Sequence, residues 1–425
     1  MGNDCLIELM KQEIAPALGC TEPAAIGLAV AKSKETLGKP VGKICLYLSR
    51  NMLKNAMGVG IPGTDEVGIE MAAALACVAG HSEYLLEVFR DVKPEDIKEA
   101  RKFMEASPIQ MEVADTDEKL YIRAVCQADG DEAETVIKRS HTNIVMVTHN
   151  GHCLYLQKEE CDRQVNQEQK VQDLPVAEIY RFVKMVPVEE IQFLQESVDM
   201  NLAIAKEGIR EKYGLGVGRQ TMLSMEPTER EEMEKKAVSL AAAAADARMA
   251  GCPLPVMSTT GSGNQGITAT VPVAVVAESL GKSQEEMLRA IASSQLVTIH
   301  IKASLGKLSA LCGCAIAAGI GAACGLTYLY GGEEPQVESA IRNMVADISG
   351  LICDGAKYGC ALKIATSVSS AFRCADLAVH DVTASGNDGI VSEDVEQTIQ
   401  NLAALGNRGM ADTDKLILNM MIQKQ

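Results

Sequence analysis

The chain has 425 residues, 47% of them hydrophobic and 3% aromatic, with a formal net charge of -17. That length exceeds what one hydrophobic core usually supports, so two domains are expected, and the acidic balance, with no Lys/Arg block interleaved with aromatics, argues against nucleic acid as a partner. Mean hydropathy is only +0.04, the Gly/Ala-rich Leu311 to Leu329 stretch is marginal at most for a membrane span, and Met1 to Met10 lacks a basic region leading into an apolar core. A soluble, cytoplasmic protein with no membrane partner is expected.

Along the chain, an apolar-periodic helical segment passes through Ala24 to Ala31 and is followed by a β-branched run, Val41 to Leu48. A charged helix is predicted over Glu95 to Ala106, and strand-like runs at Ile109 to Val113, Leu120 to Cys126, Glu134 to Lys138 and Thr142 to Thr148. The Asn150-Gly151 pair marks a tight hairpin before Cys153 to Leu156. The polar stretch Gln157 to Asp173 reads as a linker. Beyond it the periodicity is helical over Pro187 to Glu207, Pro227 to Gly251, Ser283 to Lys302, Pro335 to Ser349 and Ala361 to His380. The fold class is therefore α+β: an N-terminal α/β lobe with a small mixed sheet over 1–172, and an all-helical domain over 173–425.

Fourteen cysteines in a chain without a secretion signal do not form a disulfide framework. The densest group is Leu311-Cys312-Gly313-Cys314, then Cys324, then the pair Cys353 and Cys360, which brackets an Asp and two glycines. Such a composition resists regular helix and suits a loop bent around an inorganic core, since thiolates hold iron-sulfur clusters. Small buried thiols in a Gly/Ala core would read similarly. Zinc fits less well, because C-x-C with C-x₆-C departs from the usual closed pairs.

Two further segments look like substrate cradles. Ser258 to Gly266, containing Ser262 and Asn264, precedes an apolar helix whose first amides can grip a carboxylate; it has neither a G-K-[ST] nor a dinucleotide fingerprint. The glycine-rich loop from Asn51 to Asp65, with Lys54, Asn55 and Thr64, follows a predicted strand. Of six histidines, His300 and His380 lie in helical segments, where satisfied core or surface roles are commoner than catalysis. The Asn387-Asp388-Gly389 loop is a further candidate for the pocket wall. A pyridoxal phosphate route would need a Schiff-base lysine in a phosphate cradle, and none is legible.

The run Gly332 to Cys353, the DGAKYGC that follows Ile352-Cys353, and the helix beyond it resemble the core of the iron-sulfur-dependent L-serine dehydratases. Over nearly its whole length the chain is most similar to their L-cysteine desulfidase branch, whose motif is matched by Leu18-Gly19-Cys20-Thr21-Glu22-Pro23. The resemblance implies a 4Fe-4S cluster held by three cysteines, with one iron lacking a protein ligand. Cys353 and Cys360 match two of these, and Cys314, or Cys312 in its place, supplies the third. It also implies an active-site thiol at Cys20 and a substrate side formed by Thr21, Glu22, Asn51, Lys54, Asn55 and Thr64, to which the helix-start cradle read from the residues adds Ser262 and Asn264. A thiol at the mouth of a helix gains thiolate character from the dipole. The expected activity is α,β-elimination from L-cysteine to pyruvate, ammonia and hydrogen sulfide. L-serine or L-threonine dehydration is the alternative within the class, and a non-catalytic redox or metal-binding protein the alternative outside it. Small-residue helices are compatible with a homodimer.

Overall fold

The structure, a computed structural model, describes residues 2–64, 66–157, 170–223, 229–306 and 308–424. Most of the expected linker, Gln157 to Asp173, lies outside the described residues, as does Asp65 at the end of the expected glycine-rich loop. The chain opens with α1 (Asn3–Glu13), β1 (Ile14–Leu18), α2 (Thr21–Leu37), β2 (Lys43–Leu48), α3 (Arg50–Ala56), α4 (Ile69–Ala79) and α5 (Pro94–Ala106). Strands β3 (Ile109–Val113), β4 (Tyr121–Ala128), β5 (Asp131–Lys138), β6 (Ile144–His149) and β7 (His152–Leu156) follow.

Six strands make one sheet in the order β3-β2-β4-β5-β6-β7. It is mixed, because β2 pairs parallel with β3 and antiparallel with β4. Asn150 (φ 50) and Gly151 (φ 74) both take the left-handed conformation, the geometry of the expected two-residue turn, and the Asn150 side-chain oxygen accepts the Glu132 amide at 2.8 Å. Helix α2 is buried on nearly every side over Thr21 to Ala31 because β4 and β5 cover one side and α4 another. Ser33 fastens it to the sheet through Ala124 O and Thr135 Oγ1, each at 2.9 Å. The segment expected to start a loop at Asn51 instead forms α3, since its glycines begin only at Gly58 and Met52, Leu53 and Ala56 bury one face.

The second half contains α6 (Val176–Met185), α7 (Leu194–Arg210), α8 (Val217–Leu223), α9 (Glu229–Met249), β8 (Pro255–Thr259), α10 (Gly263–Ser279), α11 (Gln284–Leu305), α12 (Ala317–Leu329), α13 (Glu334–Ile348), α14 (Cys360–Val379), α15 (Val395–Ala404) and α16 (Thr413–Ile422). It is not purely helical: β8 pairs antiparallel with β1, from Ile14 opposite Thr259 to Leu18 opposite Pro255. Five residues, the first of them Pro255 and with Pro253 just before, are too few to show a period of two in the sequence. Two large cores result. Leu6, Leu9, Met10 and Ile14 join the core of the helical half, while Leu418 from α16 joins that of the sheet lobe. Both chain ends thus cross the division expected at residue 172. No helix among the described residues is long and apolar enough to cross a membrane.

Small residues let the helices meet at backbone distance. Ala241 to Ala245 of α9 are fully buried, and a Cβ on Gly208 of α7 would lie 2.0 Å from Ala243 O. Gly208→Ala should therefore overpack this crossing and destabilise the chain by about 3 kcal/mol, read as a lower denaturant midpoint at unchanged m value.

Candidate active site

Three parts, assembled from five stretches distant in sequence, form one site. In the first, β1 is followed by Gly19 (φ 65), and a Cβ there would lie 2.0 Å from Pro62 Cγ, so glycine lets the 60–64 loop close over Cys20. That loop is tied to the end of α9 by Gly60 N–H to Met249 O at 3.1 Å and Gly63 N–H to Gly251 O at 3.0 Å. Cys20 is fully buried at the N-cap of α2. Next to it the Glu22 carboxylate accepts Asn55 Nδ2 at one oxygen and Thr21 Oγ1 at the other, both at 3.1 Å.

The second part is a short backbone zipper. Cys312 N–H donates to Leu351 O at 2.8 Å, and Cys353 N–H donates to Ala310 O at 2.7 Å, with Leu311 and Ile352 paired between them. Cys360 opens α14. Gly355 (φ 96) packs so closely on α3 that a Cβ would lie 2.5 Å from Lys54 O. The third part is the β8–α10 turn, where Thr260 (φ 49) and Gly261 (φ 76) are left-handed and Ser262 precedes α10.

These parts surround a cavity of about 90 Å³ between the two halves. Cys312, Cys314, Cys353 and Cys360 all line it, and so do Cys20, Glu22, Asn55, Ser262 and Asn264. Thr21, Asn51, Lys54 and Thr64 lie outside the described lining. Thr21 holds Glu22; Thr64 Oγ1 donates to Ile61 O at 2.8 Å and shapes its own turn; Asn51 donates to Asp414 at 2.7 Å. Lys54 is 1% exposed and its ammonium is committed to Cys353 O at 2.9 Å and Asp414 Oδ1 at 2.6 Å. It therefore braces the thiol loop against α16. Cys324 is buried in α12. His300 joins Val171 O to Glu396 at 2.9 and 3.0 Å. His380 is an exposed residue at the end of α14, and the Asn387 to Gly389 loop is exposed and not part of the lining, so neither serves the pocket.

Among the lining residues, His141, Arg248, Lys302 and Lys363 had no role assigned from the sequence, while Thr260 and Gln265 fall inside the expected Ser258 to Gly266 cradle. Arg248 had a signal, a charged residue three positions after a run of alanines whose helix must be buried. His141 had none, since it reaches the site from the turn after β5 and only the chain's path brings it there.

Burial dominates the electrostatics. It pushes the Cys20 thiol up to about 12, against the pull of Arg248 and with a push from Glu22, so the favourable helix end expected to yield a thiolate is outweighed. Burial likewise raises Cys360 to about 12, and raises Cys353 against the attraction of Lys54. The Cys312 and Cys314 sulfurs are 3.4 Å apart. A hydrogen bond from Cys314 brings Cys312 down to about 7, and Cys314 is correspondingly held well above its ordinary value. Desolvation lowers the Lys302 ammonium to about 8.

The donor set fits an iron-sulfur cluster: cysteine sulfurs from two zipped loops and the start of a helix face one cavity, and the backbone at Gly355 approaches α3 closely. Among the described residues no three His, Cys, Asp or Glu side chains are set to close on a single ion; the thiols ring a space rather than a point.

A family model described as the serine dehydratase alpha chain matches residues 83–419. A UPF0597 protein of Phocaeicola vulgatus is 44% identical over 99% of this chain and 97% of its own length. The UPF0597 protein of Clostridium tetani is 41% identical over 99% of this chain and 98% of its own, and that of Caldanaerobacter subterraneus 40% over 100% of both.

Two stability effects follow from this geometry. Asp414→Asn leaves the Lys54 ammonium buried without its counter-charge and should cost about 3 kcal/mol, well beyond a surface pair, measurable by denaturant titration. For Lys302, the unfolded chain holds the proton up to the ordinary 10.5 while the folded chain releases it near 8. Between these values the unfolded state binds more protons, so stability rises with pH. In the metal-free chain, wild type should gain on Lys302→Met from about pH 8 upward, by at most about 1.4 kcal/mol per pH unit, in paired melts across that range.

Proposed function

The chain belongs to the serine dehydratase alpha-chain family, and from that premise we propose that it is a lyase removing the β-substituent of a small amino acid, L-cysteine before L-serine. Cys353, Cys360 and either Cys314 or Cys312 would hold a 4Fe-4S cluster. The observation that carries this reading is that Cys20, at the start of α2, lines the same cavity as the thiols of the 312–314 and 353–360 segments. A redox or storage protein has no need of Glu22, Asn55, Ser262 and Asn264 on the same lining as those thiols.

A bound cluster with one iron free of protein ligands supplies a Lewis acid that draws electron density from the leaving sulfur or oxygen. The protein's own groups manage the protons. The Glu22 carboxylate, oriented by Asn55 and Thr21, suits the substrate ammonium. Cys20 is a neutral thiol at rest, since burial raises it to about 12. Its proton goes to the departing sulfide as the Cβ–S bond breaks, and its thiolate accepts the proton from Cα as the Cα–Cβ double bond forms. The thiol ends as it began, and the products are hydrogen sulfide and 2-aminoacrylate, which water converts to pyruvate and ammonia.

The family description favours L-serine as the second reading; the same transfers apply, with water leaving. L-cysteine ranks first because sulfide leaves more readily than hydroxide and suits a soft iron site, and because the motif at Cys20 resembles the desulfidase branch.

An anaerobic preparation should carry iron, sulfide and visible absorption, and should release sulfide and pyruvate from L-cysteine faster than pyruvate from L-serine. A clear preference for serine would overturn the cysteine assignment and leave the lyase class. Cys20→Ala should keep the absorption and lower turnover by about 10²-fold or more, whereas Cys353→Ala should lose both.

A further inference from the structure

Arg248 stands in the last turn of α9, is 3% exposed, and lines the cavity. Its Nη1 donates to Asn264 Oδ1 at 3.0 Å, and its Nε has no hydrogen-bond partner among the described residues. A buried cation with an unused donor is costly unless a ligand completes it. The local backbone is shaped to keep the guanidinium there. A Cβ on Gly263, the first residue of α10, would lie 2.3 Å from Arg248 Nε and 2.9 Å from its Cζ, so a side chain at that position would evict it.

The guanidinium therefore lies across the first turn of α10. Among the described residues, that turn has no side-chain cap at Ser262, which leaves its first amides and the positive end of the helix dipole beside the same guanidinium. Just before it stands Thr260, a β-branched residue at φ 49. Strain of this kind persists where the surroundings over-determine it, commonly at ligand sites. Two independent sources of positive potential and an unpaired buried donor thus meet on one side of the cavity, with the thiols and Glu22 also on its lining.

We propose that Arg248 receives the α-carboxylate of the substrate, oriented by Asn264 and completed by the first amides of α10. This rests on the lyase reading above and narrows its substrate class to free α-amino acids. The planar guanidinium fork matches the two oxygens of a carboxylate and is poorly matched by a neutral amide. With Glu22 for the ammonium, the site recognises both charges of a zwitterion, so amines and amidated amino acids fall outside the class.

The test uses the full chain in its anaerobic, cluster-containing form. L-alanine, which has no leaving group, should bind in calorimetry and compete with L-cysteine, and L-alaninamide should do neither. Arg248→Met should raise KM for L-cysteine and weaken L-alanine about 10- to 100-fold, with a smaller change in kcat and with visible absorption and melting temperature retained. Arg248→Lys should recover part of the loss. Asn264→Asp leaves Arg248 in place but gives it an internal carboxylate, and should weaken L-alanine in the same way. Equal binding of L-alanine and L-alaninamide by wild type would overturn the assignment, and so would folded Arg248 variants with unchanged KM and L-alanine affinity. Arg248-dependent L-alanine binding without any turnover would instead overturn the lyase reading alone.

Discussion

The two hydrogen bonds that zip Cys312 to Leu351 and Cys353 to Ala310 are the contact on which the site depends. They join a C-x-C loop and a second thiol loop that are otherwise separated by two helices, and they set which sulfurs face inward. The zipper is braced from outside. Lys54 holds the Cys353 carbonyl from α3, and Asp414 from the last helix holds Lys54. A buried lysine with such partners fixes geometry at a high desolvation cost, which makes sense where a thiol loop must keep its shape. The C-terminal helix thus contributes to the site without reaching it.

Close approach of backbones explains how charged and amide side chains can meet in a cavity between two apolar cores. Gly19, Gly263 and Gly355 each sit where a Cβ would strike a neighbour within 2.5 Å, and the alanine faces of the helical half let α7, α9 and α10 meet without bulky spacers. Polar groups brought in this way are pre-positioned by packing rather than by solvent. Desolvation then governs their chemistry. It overrides the helix end at Cys20 and lowers Lys302, whereas the short contact with Cys314 is what brings Cys312 the other way.

Much of this molecule was legible from residues alone. Alternation at β2 to β6, the Asn150-Gly151 turn and the helical periods beyond residue 187 predicted the α+β class because these signals are local, set by side-chain period and by backbone torsion preference. The cysteine spacings and the motif at Cys20 singled out thiols that do share a cavity, since clustered ligand types leave a mark in composition. Asn55, Glu22, Ser262 and Asn264 were likewise marked by their motifs. Tertiary structure decided what depends on long-range contact. β8 is visible only through its pairing with β1. Lys54 looks like a substrate ligand until Cys353 O and Asp414 are seen to occupy its ammonium. His141 reaches the site from a strand turn, and Arg248 acquires meaning only from the glycine that lets it lie across α10. A sequence records which groups are present and their local periods; which of them lose their water, and to which partners, is settled by packing between segments hundreds of residues apart.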